Sequence, residues 1–316
     1  IGLIIPFLSL FFEDTNLQII ESFEFINKLE KNQKIIFVLF LLLIVFILKN
    51  YFLVVTKKVK INFSHQLSAD LARKFYEKYI YKNFLYFSKK NTANIIRNIT
   101  AETGTFSLGI VLTILNLISD SLIFISIVIF LFFYNFVASL IITLTMSIFA
   151  FIVIYFQKKK LKEWGKIRLL HTNSLVKLIQ ETFGNIKETI LSNNYDYFLS
   201  KFKYHTEQNK ISGQKKDFYF IIPRPILEVF IILMTIILIY YFTKNNYLLS
   251  EIFIIIGVIS FATLKLLPST ISIMNGIQGI KYNSKVVEIL FNDLSDISKK
   301  DENKNKINPS SQKKNI

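Results

Sequence analysis

Residues 110–156 read IVLTILNLISDSLIFISIVIFLFFYNFVASLIITLTMSIFAFIVIYF, and this stretch decides the fold class. It holds two apolar runs, 110–133 and 136–156, with only Tyr134 and Asn135 between them. Each run is long enough to cross a bilayer core, which takes about 20 apolar residues of helix. Because backbone polar groups in lipid must be satisfied within the segment, both runs are predicted to be helices. The stretch therefore predicts a helical hairpin embedded in a membrane.

Apolar runs of similar length recur on both sides of this hairpin, at 35–55, 218–242 and 252–274. Residues 1–12 are also apolar, and we expect them to be the outer half of a first span that begins upstream. The chain is thus predicted to be an all-α, polytopic membrane protein with six spans.

Composition supports this class. The 316 residues are 52% hydrophobic and carry a net charge of +16, a combination that an ordinary soluble domain does not show. The absence of cysteine from the sequence excludes disulfides, iron–sulfur clusters and thiolate zinc sites. The basic surplus is explained by the positive-inside bias of membrane proteins, so no nucleic-acid partner is expected.

The charge bias also predicts the orientation. Segment 56–109 has ten basic and three acidic residues, and segment 157–217 has thirteen and six. The connections 13–34 and 243–251 carry no basic excess. Both long segments and the C-terminus are therefore predicted to be cytoplasmic.

The two long segments, named here the first arm (56–109) and the second arm (157–217), are predicted to be helical. No proline occurs between Pro6 and Pro223, and apolar residues recur at helical spacing. At 1.5 Å per residue, an arm of roughly 25 residues would project about 40 Å. The repeating positions are Phe63, Leu67, Leu71, Phe75 and Tyr79 on the first arm, and Leu175, Leu178, Ile179, Thr182, Phe183, Ile186 and Ile190 on the second.

Six spans, short external loops and two long paired arms resemble the transmembrane domain of ABC exporters of the bacterial half-transporter class. Tyr81–Glu102 (YKNFLYFSKKNTANIIRNITAE) is similar to the first transverse coupling helix of that family, with the pattern N-x-x-x-I-I-R-x-I-x-x-E. Leu178–Phe198 (LIQETFGNIKETILSNNYDYF) resembles the second, through Glu181, Gly184, Lys187 and Glu188.

Two further motifs resemble the lipid-linked oligosaccharide flippase branch of the family. They are Ile222–Glu228 (IPRPILE) and Leu264–Ile280 (LKLLPSTISIMNGIQGI). The branch often has arginine where this chain has Lys265, and lysine lacks the bidentate fork that grips phosphate oxygens.

The resemblance implies a homodimer in which helices are exchanged between protomers, driven by a nucleotide-binding domain that holds ATP and Mg. The sequence has no G-x-x-x-x-G-K-[ST] phosphate loop, so this chain is not itself expected to hydrolyse ATP. We expect residues 1–290 to be the transmembrane domain. The polar stretch 291–316 is expected to be a flexible linker to a nucleotide-binding domain, fused after residue 316 or carried on a separate chain. The residues expected to couple to that domain are Phe84, Leu85, Tyr86, Phe87, Ser88, Lys89, Lys90, Asn185, Ile186, Lys187, Glu188 and Thr189.

Ionisable residues inside spans are costly, and they are candidates for contact with cargo. The cations Lys265, Arg224 and Lys49 are placed in the cytoplasmic halves of their spans and suit a diphosphate headgroup. Two of the three have a structural alternative: Lys49 snorkels to the interface, and Arg224 pairs with Glu228 four residues on. Asp120 is expected to pair with a neighbouring span more readily than to bind cargo. Pro268 would kink the last span and make a gate.

The predicted function is export of a polyisoprenyl-diphosphate-linked oligosaccharide or similar glycolipid, with membrane lipid around the spans. Export of a peptide, a drug or another lipid remains an alternative. A polyprenyl-phosphate glycosyltransferase is a remote one, since neither arm has a D-x-D pair to hold a metal-bound sugar nucleotide. No metal site is expected, because His65, His171 and His205 are widely separated in sequence.

Overall fold

A computed structural model describes residues 31–134, 136–245 and 249–307. The first span expected at 1–12 lies outside these residues. The part of the chain that is described is built from helices, and no strand occurs in it. Five of its helices are long and apolar enough to cross a membrane.

Each of the other five predicted spans falls on long helices. They are α1 (Lys31–Ile80), α5 (Leu112–Tyr134), α6 (Phe136–Gly184), α8 (Tyr195–Ile221) with α9 (Pro223–Lys244), and α10 (Leu249–Ile307). Pro223 stands at the first position of α9. The N–H groups in the first turn of a helix have no carbonyl partner within the helix, so the missing N–H of proline costs nothing there. The predicted multi-pass, all-helical class is confirmed for these residues.

The arms are helical, as the periodicity predicts. Between α1 and α5 lie α2 (Phe84–Lys89), α3 (Thr92–Arg97) and α4 (Thr103–Phe106), with two π-helical turns at Asn98–Glu102 and Ser107–Val111. Between α6 and α8 lies α7 (Ile186–Leu191). Each arm therefore runs out along one long helix, turns through short helices and returns.

The described residues form two compact units. The membrane unit comprises 31–60, 116–155 and 221–275, and the arm unit comprises 61–115, 156–220 and 276–307. The core of the membrane unit takes apolar side chains from α5, α6, α9 and α10. Its buried members are Ile127, Leu131, Ile142, Met146, Leu238, Phe242, Ala262 and Leu266.

The core of the arm unit brings together the first arm, α6 and α10. It consists of Phe75, Tyr79, Tyr86, Ile95, Leu169, Val286 and Leu290. One glycine allows α6 and α10 to approach each other closely in this unit. A Cβ atom on Gly165 of α6 would lie 1.9 Å from the carbonyl oxygen of Tyr282 on α10, so no other residue fits there.

The C-terminal segment differs from the prediction. The flexible linker expected from residue 291 is helical as far as Ile307, because α10 continues through it. Apolar burial sustains the helix at Leu290, and the Asp293 side chain accepts hydrogen bonds from the first arm. The remainder of the expected linker, 308–316, lies outside the described residues.

Pro268 lies inside α10, and the helix continues on both sides of it. Proline has no N–H to donate to the carbonyl of Leu264. Hydroxyl groups follow directly: Ser269 Oγ donates to the Lys265 carbonyl at 3.4 Å and Thr270 Oγ1 to the Leu266 carbonyl at 2.9 Å. The gate assigned to Pro268 stays a prediction.

Candidate substrate and coupling sites

The three predicted cargo cations lie on three different helices of the membrane unit. Lys49 on α1 has its ammonium 5.4 Å from the centre of the Phe46 ring. Arg224 on α9 pairs with Glu228, Nε to Oε1 at 3.0 Å. These contacts lie within the residues' own helices, so they do not bring Lys49 and Arg224 together. Lys265 is exposed on α10.

Asp120 is paired across two spans, as expected. Ser272 Oγ on α10 donates to Asp120 Oδ2 on α5. The preceding residue, Ser119, accepts a hydrogen bond from Lys60 Nζ on α1. Adjacent residues of α5 thus hold α1 and α10 by polar contacts, and a hydrogen-bonded acid is less costly at membrane depth than an isolated one. Ser272 lies in the motif Leu264–Ile280, but its partner could not be identified from sequence.

The membrane unit also has a small apolar pocket between α6, α9 and α10. None of the three candidate cations lines it. Its lining residues are Ile142, Thr145, Met146, Leu227, Phe230, Ile231, Met234, Thr235, Leu238 and Thr263.

The first predicted coupling segment is a short helix held by asparagine caps. Asn83 Oδ1 accepts from the Tyr86 N–H at 3.2 Å, and Asn91 Oδ1 accepts from the Ala93 N–H at 2.9 Å, which satisfies donors at the starts of α2 and α3. The helix α2 exposes one apolar face, with Phe84 83% exposed. Of its other members, Leu85 and Ser88 are exposed, Tyr86 is buried, and Phe87 and Lys90 are half-buried. The side chain of Lys89 lies outside the described residues.

The second predicted coupling segment contains α7. Asn185, Ile186, Lys187 and Glu188 are exposed, whereas Thr189 is buried and donates to the Asn185 carbonyl at 3.2 Å. Beside α7, the helices α6 and α8 form an apolar groove of about 370 Å³. The groove is lined by Leu178, Ile179, Thr182, Phe183, Thr189, Tyr195, Phe198, Leu199 and Phe202.

A buried charge cluster joins the two arms. Glu102, only 1% exposed, has Oε1 3.5 Å from Arg97 Nε and Oε2 3.8 Å from Arg168 Nη2. Burial raises the pKa of the Glu102 carboxyl, and the two arginines oppose that rise. Burial also lowers the pKa of the Arg97 guanidinium. Arg97 and Glu102 belong to the motif of the first arm, whereas no sequence pattern points to Arg168, which comes from α6.

Two of the three histidines, which are far apart in sequence, lie together in the structure. His171 Nδ1 on α6 is 2.8 Å from His205 Nδ1 on α8, because the second arm folds these helices against each other. In this hydrogen bond one ring carries its proton on Nδ1 and donates it, and the other ring has an unprotonated Nδ1 that accepts it. Among the described residues, no group of three or more potential metal ligands occurs.

The family model for the ABC transporter transmembrane region matches residues 1–277. The match covers most of the 316 residues, including every span and both arms. Transmembrane domains of this family generally pair with a nucleotide-binding domain and dimerise. The chain therefore belongs to the ABC transporter transmembrane family and is an ABC exporter membrane domain.

Proposed function

We propose that this membrane domain moves a polyisoprenyl-diphosphate-linked oligosaccharide, or a similar glycolipid, headgroup-first from the inner to the outer leaflet of a bacterial inner membrane. The observation that carries the proposal is Lys265, an exposed cation on α10 within an otherwise apolar run. Charged groups at membrane depth are retained where they face a partner or a cargo pathway. A diphosphate headgroup is a chemical match for such a cation.

The energy source is proposed to be ATP hydrolysis outside this sequence. A nucleotide-binding domain, fused after residue 316 or on a separate chain, would bind ATP and Mg. Two copies of the chain would form a homodimer with exchanged helices, and the C-terminus would be cytoplasmic.

Coupling is proposed to run through both arm tips. The segments Phe84–Lys90 and Asn185–Thr189 would rest on the nucleotide-binding domains and turn their closure into movement of the spans. The exposure of Phe84 and Ile186 supports this role, because exposed apolar side chains on a turn mark contact surfaces.

Of the three candidate cations, Lys265 is the first to test, because it is exposed within the apolar run of α10 and lies three residues before Pro268, the proposed gate. Arg224, which pairs with Glu228, and Lys49, which lies over the Phe46 ring, are the next candidates.

The test uses purified transporter in proteoliposomes with a fluorescent polyprenyl-diphosphate disaccharide. Lys265→Ala should lower flipping and cargo-stimulated ATP hydrolysis about tenfold while lowering basal hydrolysis less. Lys265→Arg should retain flipping, since its fork grips phosphate oxygens. Lys244→Ala, which removes an exposed charge from the end of α9, is the matched control. Equal loss of all three activities, or no loss, would contradict the phosphate contact.

Export of a peptide, a drug or another lipid is the second candidate. The lining of the small pocket around Met146, Leu227 and Phe230 favours it, because that lining has no charged side chain and suits contact with an apolar part of a cargo. Mass spectrometry of lipids retained by the purified protein separates the two candidates. A bound diphosphate glycolipid supports only the flippase, and its absence together with a retained peptide or other lipid supports the second candidate.

A further inference from the structure

One carboxylate on α10 binds three separate parts of the first arm. Asp293 Oδ2 accepts from Tyr79 Oη at 2.7 Å and from Asn98 Nδ2 at 2.6 Å. Asp293 Oδ1 is 2.5 Å from Lys90 Nζ. These donors come from the end of α1, the residue after α2 and the first π-helical turn. We call these four residues the Asp293 joint.

The joint lies against the apolar core of the arm unit. Tyr79 is a member of that core, together with Val286 and Leu290 of α10. The Lys90 ammonium also lies 5.2 Å from the centre of the Tyr86 ring. The Asp293 side chain is only 14% exposed, so water competes weakly for its hydrogen bonds.

The pKa shifts of Lys90 and Tyr79 both depend on Asp293. Burial alone would lower the pKa of the Lys90 ammonium, but hydrogen bonds with Asp293 and Tyr86 raise it above its usual range. Burial and the hydrogen bond to Asp293 raise the pKa of the Tyr79 hydroxyl. Lys90 is thus held charged and Tyr79 held neutral, the two forms that donate to a carboxylate.

The joint continues into the buried charge cluster. Asn98, which donates to Asp293, accepts a hydrogen bond from Arg97 Nη2 at 3.1 Å. Arg97 pairs with Glu102, and Glu102 with Arg168 of α6. The same polar cluster therefore contacts α10, the first arm and the helix that leads into the second arm.

We propose that Asp293 is a positioning residue that locks α10 to the first coupling segment, so that the two move as one body during transport. This inference rests on the proposed function, in which Phe84–Lys90 rests on a nucleotide-binding domain and α10 carries the chain out of the last span. A push on either element then reaches the other without bending between them. An amide in place of the carboxylate would turn one of the two acceptor oxygens into a donor. It could not accept from Tyr79, Asn98 and Lys90 together, which would uncouple the two elements.

The first experiment tests the lock itself by amide hydrogen exchange on the purified 316-residue chain in detergent. Asp293→Asn should raise exchange on the order of tenfold in residues 84–98 and 286–294. Glu288→Gln is the matched control, because it removes one carboxylate from the same helix, where Glu288 pairs with Lys285 three residues away. It should change exchange less than about twofold.

A milder variant keeps the test decisive if Asp293→Asn does not fold. Tyr79→Phe removes one donor and keeps the ring that packs against Phe75 and Tyr86. It should raise exchange in the same two segments by about threefold. Equal exchange in wild type, Tyr79→Phe and Glu288→Gln would overturn the lock.

The second experiment tests the coupling role in the complete transporter with its ATPase domain, reconstituted with the fluorescent polyprenyl-diphosphate disaccharide. Asp293→Asn or Tyr79→Phe should reduce the cargo moved per ATP hydrolysed by about threefold or more, and Glu288→Gln should not. Faster hydrogen exchange with an unchanged amount of cargo moved per ATP would overturn the coupling role.

If the wild-type transporter moves no cargo, the proposed cargo is wrong. The readout is then the change in hydrogen exchange that nucleotide induces at residues 84–98. That change should be lost in Asp293→Asn, and its retention would also overturn the coupling role.

Discussion

The two arm tips are held by different kinds of contact. At the first tip, asparagine caps, the Asp293 joint and a buried ion cluster hold short helices against α10. At the second tip, α7 lies beside an apolar groove, and Leu191 is 85% exposed. Both tips expose apolar side chains, but only the first is also held by polar side-chain contacts with α10. The two tips therefore differ in how firmly their own arm unit holds them. We propose that the second tip, with its apolar groove, is the more adaptable docking surface.

The largest expected effect comes from breaking the close packing of α6 against α10. Gly165→Ala would place a Cβ 1.9 Å from the Tyr282 carbonyl oxygen and force α6 away from α10. We expect a loss of about 3 kcal/mol or more, measured by thermal unfolding in detergent. Gly213→Ala is the control, because nothing lies within 4 Å of its added Cβ. A helical glycine with free space should gain roughly 0.5–1 kcal/mol on this change. Equal stability of the two variants would contradict the close approach.

The next effect tests the charge cluster of the first tip against an ion pair of the second arm. Glu102→Gln would leave Arg97 and Arg168 without their carboxylate, and we expect a loss of about 2–4 kcal/mol. Glu181→Gln removes an exposed partner of Lys177 and should cost less than about 0.5 kcal/mol. Chemical denaturation of both variants measures the difference. Similar losses of stability in the two variants would contradict the expectation that the buried Glu102 contributes more to folding than the exposed Glu181.

A third change sharpens the assignment of the second tip as a docking surface. Leu191→Ser removes an exposed apolar side chain, so folding stability should change by less than about 0.5 kcal/mol. Its affinity for the nucleotide-binding domain should fall by roughly tenfold, because exposed apolar anchors contribute strongly to interfaces. Titration of the ATPase domain against the membrane domain gives both affinities. Leu264→Ser, at an exposed position on α10 in the membrane unit, should leave this affinity unchanged.

Local patterns in the sequence predict much of the fold. The apolar runs indicate the described spans, and the proline-free arms predict helices that run out and return. The asparagine caps at Asn83 and Asn91 are also readable by the rule for helix starts, although they were not identified from sequence. These features depend on residues a few positions apart.

The contacts that define the sites are of another kind. Asp293 and Tyr79 are 214 positions apart, and His171 and His205 are 34 apart. Their pairing depends on how long helices align, and helical periodicity fixes a face of one helix without fixing its register against another. The expected linker was assigned from composition alone, which could not show that Asp293 is held by distant residues.

The smallest expected effect concerns pH in the second arm. Burial lowers the pKa of His171, and the neighbouring His205 lowers it further. An unfolded histidine, with a pKa of about 6.5, therefore binds protons more readily than His171 does in the folded chain. Between pH 6.5 and the lower folded pKa, the unfolded state takes up more protons, so stability falls as pH falls. Acidification should loosen the contact between α6 and α8.

Hydrogen exchange at pH 7.5 and pH 5.5, corrected for intrinsic rates, measures this effect. Residues 168–175 and 201–209 should exchange about twofold faster at the lower pH, and His205→Gln should reduce that difference, because it removes the second of the two causes of the lowered His171 pKa. His65→Gln is the matched control, because His65 is an exposed histidine of the first arm. The first tip should show no such change, since its joint is made by Lys90, Tyr79 and Asp293 and carries no histidine. An equal response of both tips would mean that acid acts on the arm unit as a whole and that the histidine pair has no separate role.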